Sequence, residues 1–263
     1  MEILVCVRRV PDTSENEIQL NSAGNDIERD DLVYSVNEPD NYAVEEALQI
    51  AARDGGKVTV VTVGSDEDEE VLRREMAMGA NQGVLISDEA FSGSDGLGIA
   101  TILKAYVQKN HYDLILTGIQ AEDGGAQVGG MLAALLDYPF ASLVNSIEVL
   151  DGKKLKISRE IEGGNKEMNE IDLPCVLSIQ TGINEPRYVG MRGIRQVASV
   201  DIPTFGTSDL GVDTAAVGEA GAKVERVDYF LPALGKGAEI LQGSREEIID
   251  KLIELMKAKG GLN

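Results

Sequence analysis

The strongest constraint on how this chain folds is an alternation. Over about the first 145 residues, the apolar runs EILVCVRRV, KVTVVTVG, QGVLIS, YDLILT and PFASLVNSIEVL alternate with the helical patterns DNYAVEEALQIAARDGG, DEDEEVLRREMAMGA, DGLGIATILKAYVQKN and VGGMLAALLD. Strands that are apolar throughout have no face to offer water, so they belong in a parallel sheet covered on both sides. Amphipathic helices between them are the crossovers such a sheet requires. The pattern predicts an α/β domain with a doubly wound parallel sheet.

The helices carry their own signals. In NEPDNYAVEEALQIA, Tyr42, Ala43, Ala47, Leu48 and Ile50 recur at helical spacing, with Glu45 and Glu46 toward the positive end of the helix dipole. In GSDEDEEVLRREMAMGA, Ser65 is placed to cap the helix and acidic residues fill its first turn. Consecutive carboxylates point around a helix, so this cluster reads as dipole compensation rather than a metal site.

Beyond about residue 145 the pattern changes. SIEVLDGKKLKISREIEGGNKEMNEIDLPCVLSIQ holds three period-two segments with turn signals at Asp151-Gly152 and Gly163-Gly164, which predicts an antiparallel hairpin or meander on the same sheet. The Gly- and Pro-rich stretch TGINEPRYVGMRGIRQVASVDIPTFGTSDLGVD reads as an extended excursion. The chain closes with an amphipathic helix, Ile248, Leu252 and Leu255 beside Ile249, Ile253 and Met256, with Ser244 and Glu247 as a capping box. Such a helix needs a surface to pack on, and another subunit is the expected source.

Composition narrows the function. With 263 residues, 43% of them hydrophobic, the chain can bury the core of one generous domain. Its net charge of −21 repels nucleic acid backbones and leaves solubility, or a partner with a basic face, as its use. The single histidine, His111, is expected on the surface, which argues against a hydrolytic triad. Cys6 and Cys175 lie in apolar runs as small buried hydrophobes, so no disulfide or metal framework is expected. No run is apolar enough for a membrane span, and MEILVCVRRVPD lacks the order of a signal peptide, so a cytoplasmic location is expected.

Ligands of open parallel sheets bind beyond the C-terminal strand ends, near the point where strand order reverses. The candidate loops are RRVPDT after the first strand, GSDED after the second, and GIQAEDGGAQVGG, Gly118 to Gly130, after a later one. In YSVNEPDNY, Asn37 is placed to hydrogen-bond a base or ribose and Asp40 to cap the helix that follows. The glycine-rich loop has neither Lys nor Arg, but its amides and the next helix N-terminus can bind an anion, with Gln127 and Asp123 adding hydrogen bonds. It is not a Walker loop, and the first strand lacks the dinucleotide fingerprint. An ordinary glycine-rich connection is the competing reading, and a stand-alone ATP- or AMP-binding module of the stress-protein type is the competing function.

The segments ILVCVRRVPD, SVNEPDNYAVEEAL, LRREMAMGAN, DLILTGIQAEDGGAQVGGMLAALLDYPFAS, KISREIEGGNKEM, LPCVLSIQTGINEPRY and DLGVD, in this order, resemble the β subunit of electron transfer flavoproteins over about residues 1 to 213. The resemblance implies an adenine nucleotide α-hydrolase-like sheet with an antiparallel hairpin extension and a C-terminal arm. It also implies a heterodimer with an α subunit that carries FAD, and electron transfer between acyl-CoA dehydrogenases and a downstream acceptor. Carried over residue by residue, the nucleotide site comprises Cys6, Asn37, Glu38, Pro39, Asp40, Val63 and Gly64. In the phosphate-binding turn it adds Gly118, Gln120, Ala121, Asp123, Gly124, Gly125, Ala126, Gln127, Val128 and Gly129.

Three departures qualify that likeness. Family members that hold AMP often read Asp-Asp-Asn-Gln-Thr-Gly in this turn, whereas EDGGAQVGG is shorter, lacks the Asn and has Val128 for the Thr. The AQVG form is closer to β subunits that bind a second FAD and bifurcate electrons from NADH, so either AMP or a second FAD is expected in this chain, with FAD ahead. After NEPRY the usual Leu-Pro turn and lysine-rich strand are replaced by VGMRGIRQVASVDIP, which puts Met191 at the place of the apolar residue that anchors the dehydrogenase. A Met packed within its own subunit is the competing reading. Past Asp213 the likeness is loose. The expected division is 1–205 for the nucleotide-binding domain, with a partner-recognition loop at about 179–201, and 206–263 for an arm docking on the α subunit.

Overall fold

The computed structural model describes residues 1–121, 125–225, 227–233, 235 and 237–261. Its first half runs β1 (Glu2–Cys6), β2 (Arg9–Pro11), β3 (Tyr34–Val36), α1 (Glu38–Asp54), β4 (Lys57–Val63), α2 (Glu69–Met78), β5 (Gln82–Ile86), α3 (Gly96–Val107), β6 (Leu114–Gly118) and α4 (Val128–Leu136). The second half runs β7 (Phe140–Val149), β8 (Lys154–Ile161), β9 (Asn165–Asp172), β10 (Cys175–Ile179), α5 (Met191–Val197), β11 (Thr204–Phe205), α6 (Thr207–Leu210), α7 (Gly218–Gly221) and α8 (Arg245–Ala258). Nine strands form one sheet in the order β11-β5-β4-β1-β6-β10-β7-β8-β9, and β2 with β3 forms a separate antiparallel pair.

The apolar strands make the parallel part. β1 lies between β4 and β6, with Cys6 opposite Val61 on one side and Thr117 on the other. The chain builds outward from β1 to β4 and β5, then returns through α3 to start β6 on the far side, so strand order reverses between β1 and β6. Two apolar clusters form on the sheet: one gathers Val44, Leu48, Leu72 and Met76 from α1 and α2, the other Ile102, Leu103, Leu132 and Ala133 from α3 and α4. Strands flanked by apolar layers on both faces are what uninterrupted hydrophobic runs require. The doubly wound α/β class is therefore the observed one.

The antiparallel extension is also as expected: β8 pairs with β7 and β9 across the turns at Gly152 and Gly163. LPCVLSI then leaves the meander. As β10 it inserts between β6 and β7, parallel to both, with Val176, Leu177 and Ile179 fully buried. The stretch read as an extended excursion carries α5 and the edge strand β11, which hydrogen-bonds to β5. Gly193 obscures that helix in the sequence because glycine costs helix propensity. Here it lets α5 lie against α2, since a Cβ at this position would sit 2.9 Å from the Ala77 carbonyl.

Compactness divides the chain into two units: Met1–Ile18 with Arg29–Val227, and Gln19–Glu28 with Asp228–Asn263. In the second, Leu20 and Ile27 form an antiparallel bridge. There α8 begins at the Ser244–Glu247 capping box and leaves Ile249, Leu252, Leu255 and Met256 exposed. Among the described residues no helix is long and apolar enough to cross a membrane.

Candidate functional site

At the reversal point between β1 and β6, the first turn of α1 is fastened to both strands. Glu38 and Pro39 open the helix, since Pro tolerates its first turn. Asp40 does not cap its own helix, as its position had implied. One of its carboxylate oxygens accepts the Arg8 N–H just past β1 at 2.9 Å, and the other accepts the Gly118 N–H at the end of β6, also at 2.9 Å. Asn37 Nδ2 donates to the Gln120 carbonyl at 2.9 Å. Gly118 is required by this closeness, because a Cβ there would collide with the Asp40 carboxylate and Pro39.

Two consequences follow for the chemistry. Burial pushes the Asp40 carboxyl up to about 7, against the hydrogen bonds from Asn37, Gly118 and Arg8 that favour its ionised form. Burial, with the charge of Asp40 behind it, pushes the Cys6 thiol up to about 12. Cys6 therefore stays protonated at neutral pH and offers a ligand its backbone, not a nucleophile. Asn37 is 1% exposed, and its Oδ1 has no hydrogen-bond partner among the described residues. A buried acceptor left unpaired is costly, and a donor on a bound molecule would relieve it.

Val63 ends β4 and Gly64 follows it. The Gly64 amide is used by the Ile86 carbonyl, and a Cβ on Gly64 would collide with Asp68, which receives the Ser65 N–H and hydroxyl in a capping box ahead of α2.

On the other side of β6, Ile119 N–H donates to the Ile179 carbonyl as the chain enters the glycine-rich loop. Ala121 is described, whereas Asp123 and Gly124 lie outside the described residues. Gly125 and Ala126 are exposed, and Ala126 has a φ of +56°. Gln127 precedes α4, its side chain lying over Gly96 at the start of α3, where a Cβ would approach Gln127 Oε1 to 2.9 Å. Val128 packs on the apolar cluster and its side chain presents no hydrogen-bonding group. Gly129 presses α4 against the Thr117–Ser178 hydroxyl pair, which a Cβ would strike.

Thus Cys6, the start of α1 and the start of α4 converge on the reversal point, with backbone amides and helix ends in place of basic side chains. Such ends hold anions by their free N–H groups and dipoles. Among the described residues no group of acids, cysteines or histidines is arranged to bind a metal.

A second connection was not foreseen. Arg187 of NEPRY makes a forked ion pair with Glu45 of AVEEAL, at 2.7 and 3.0 Å, while Asn184 Nδ2 reaches the Tyr42 carbonyl and Glu46. Burial alone would raise the Glu45 carboxyl, but the bonds from Arg187 and Gln49 hold it below its ordinary value. Burial wins at Glu46, whose carboxyl is raised despite Asn184. The available signal was two adjacent glutamates in the middle of an otherwise apolar helical stripe. The NEPRY segment is thereby strapped to α1, and Met191, at the start of α5, is 64% exposed.

Comparison with known proteins agrees with this geometry. Residues 25–210 match the electron transfer flavoprotein domain family. The chain is 34% identical over 260 residues to the electron transfer flavoprotein subunit beta of Methylophilus methylotrophus, covering 97% of this chain and 98% of that protein. It is 34% identical over 261 residues to the corresponding subunit of Thermoanaerobacterium thermosaccharolyticum, covering 98% and 99%. It is also 34% identical over 263 residues to the caffeyl-CoA reductase-Etf complex subunit CarD of Acetobacterium woodii, covering 98% and 99%. A match of this length, to both the family and its β subunits, makes the chain a member of the electron transfer flavoprotein β-subunit family.

Proposed function

We propose that this chain pairs with an FAD-carrying α subunit to move electrons between acyl-CoA dehydrogenases and a downstream acceptor, and that its own crevice holds a second FAD. The observation that carries the nucleotide reading is the crevice itself: two helix N-termini, a glycine-lined turn and the orphaned Asn37 Oδ1 at one strand reversal. In this reading Cys6, Asn37 to Asp40, and Val63 with Gly64 flank the adenosine portion. Gly118 to Gly129, with Gln127 foremost, hold the phosphates by amides. No lysine is needed because no phosphoryl group is transferred. When bound, FAD would supply hydride acceptance from a reduced nicotinamide, while the chain binds, orients and tunes it.

The stand-alone stress-protein alternative is not favoured, given the family match and the lack of a phosphate loop after β1. A relative named as a subunit of a caffeyl-CoA reductase-Etf complex supports flavoenzymes acting on CoA esters as the class of partner. The exposed apolar face of α8 is the part of the 206–263 arm assigned to docking on the α subunit. Co-expression with the α subunit should yield a yellow heterodimer, and the test is its extracted nucleotide. Two FAD per heterodimer are expected; one FAD with one AMP would refute the second flavin, and a lack of nucleotide in this chain would refute the crevice assignment.

A further inference from the structure

Under α5 lies a cavity of about 850 Å³, distinct from the nucleotide crevice. Val36, Val71, Met78, Val189 and Ile194 give it apolar walls, and Tyr34 supplies an aromatic one. Both ends of the segment that roofs it are tied down. Arg187 is forked to buried Glu45, and Arg73, itself paired with Glu69, donates to the Val197 carbonyl at 2.6 Å and the Val200 carbonyl at 3.1 Å. These ties hold the cavity open as a built feature rather than a gap in loose chain. Beside it Tyr188, Met191 and Ile194 are exposed.

The charge here still opposes that of the molecule, although Glu70 lines the cavity with Arg73, Arg74 and Arg187, and Arg73 and Arg187 are already paired with Glu69 and Glu45. The segment from Arg187 to Val197 holds three arginines and no acid, in a chain of net charge −21. Arg192 and Arg195 are exposed and make no hydrogen bond or ion pair among the described residues, and exposed Arg74 lines the cavity without one. An extended polyanion would meet the whole field of −21, whereas a protein segment that touches only this face meets the arginines.

We propose that this cavity is a socket for a redox partner, receiving one apolar, preferably aromatic, side chain flanked by carboxylates. A large ring fills an apolar pocket at low entropic cost, and peripheral arginines set orientation and on-rate. The socket would act beside Met191, which points outward: the partner places a residue into this subunit as this subunit places one into the partner. Naming the partner as an acyl-CoA dehydrogenase rests on the function proposed above.

The test has two arms. In the first, the full chain is titrated with a peptide of one Trp between pairs of Glu, and with its Lys counterpart. The chain has no Trp, so the indole reports binding alone. The acidic peptide should bind, more weakly as salt rises, and the basic one should not. Ala198→Phe, at an exposed position lining the cavity, and the surface pair R192E/R195E should each weaken binding by about tenfold, the loss of one good anchor. Equal binding of both peptides, or unchanged affinity in both variants, overturns the socket. In the second arm, the heterodimer's KM for a reduced acyl-CoA dehydrogenase should rise by about tenfold in the same variants, with flavin content unchanged. Lost peptide binding with an unmoved KM upholds the socket and overturns the dehydrogenase as its occupant.

Discussion

Glu75 on α2 is fully buried, and neither of its carboxylate oxygens has a hydrogen-bond partner among the described residues. Burial pushes its carboxyl up to about 8; Arg74 opposes the shift, and the charges of Asp40 and Glu45 add to it. Between the unfolded value of about 4.3 and that raised value, the folded chain holds a proton that the unfolded chain has released, so stability falls as pH rises through this window. At about 1.4 kcal/mol per pH unit, easing as the folded carboxyl begins to ionise near pH 8, the rise from pH 6 to pH 8 removes about 2 kcal/mol. That is a large part of a typical stability of about 5–15 kcal/mol.

Glu75→Gln keeps the shape and cannot ionise. At pH 6 it should unfold within about 1 kcal/mol of the parent, and at pH 8 it should be the more stable protein by about 2 kcal/mol. Urea unfolding followed by far-ultraviolet circular dichroism, at half-unit steps from pH 6 to pH 9, measures both. Some decline will persist in the variant, because the Asp40 carboxyl is also raised, to about 7, and loses stability in the same direction. Parallel curves for parent and variant, or a variant weaker at pH 8, would refute the claim that an unpaired buried carboxyl dominates this slope.

Three further outcomes are expected. Gly118→Ala drives a methyl into Asp40 and Pro39 and should cost about 1–3 kcal/mol in urea unfolding, with loss of bound nucleotide after gel filtration. A double-mutant cycle of Glu45→Gln and Arg187→Met should give a coupling of about 1–2 kcal/mol, between surface and buried pairs because Arg187 is partly exposed. Since the Glu45 carboxyl is depressed, this coupling is present above its unfolded value and should fade as pH falls through the lower folded one; a coupling that does not fall on progressive acidification would contradict it. Met191→Ala should lower kcat/KM for the dehydrogenase by about tenfold with flavin content intact, whereas unchanged kinetics would remove its anchoring role.

The fold was legible where a local pattern has one global solution. Apolar strands such as LILT can only be interior, and DG and GG between period-two runs can only turn. β10 was harder, because a buried run such as CVLSI names its environment and not its neighbours. Its insertion between β6 and β7 is a matter of pairing at long range. At the crevice, the glycines were legible as close approaches, but the bond from Asp40 to Gly118 joins residues 78 apart and leaves no periodic trace. The same holds for Glu45 and Glu46, where the dipole argument explained their position in α1 and hid their bonds to Arg187 and Asn184.

Those bonds give α1 a double role. Its first turn is fixed to β1 and β6 through Asp40, and less than two turns later Glu45 and Glu46 hold the NEPRY segment. At 1.5 Å per residue, the six positions from Asp40 to Glu46 span about 9 Å of rigid helix. The crevice at the strand reversal and the segment bearing Met191 are thus referenced to one element rather than to a chain of loops. If the crevice holds a nucleotide and Met191 docks a partner, as proposed above, that arrangement fixes the distance between the two while leaving both surfaces open. It also explains why the helix retains two buried glutamates. Apolar residues would pack the core as well, but only charges and amides can hold a polar segment such as NEPRY at a set orientation.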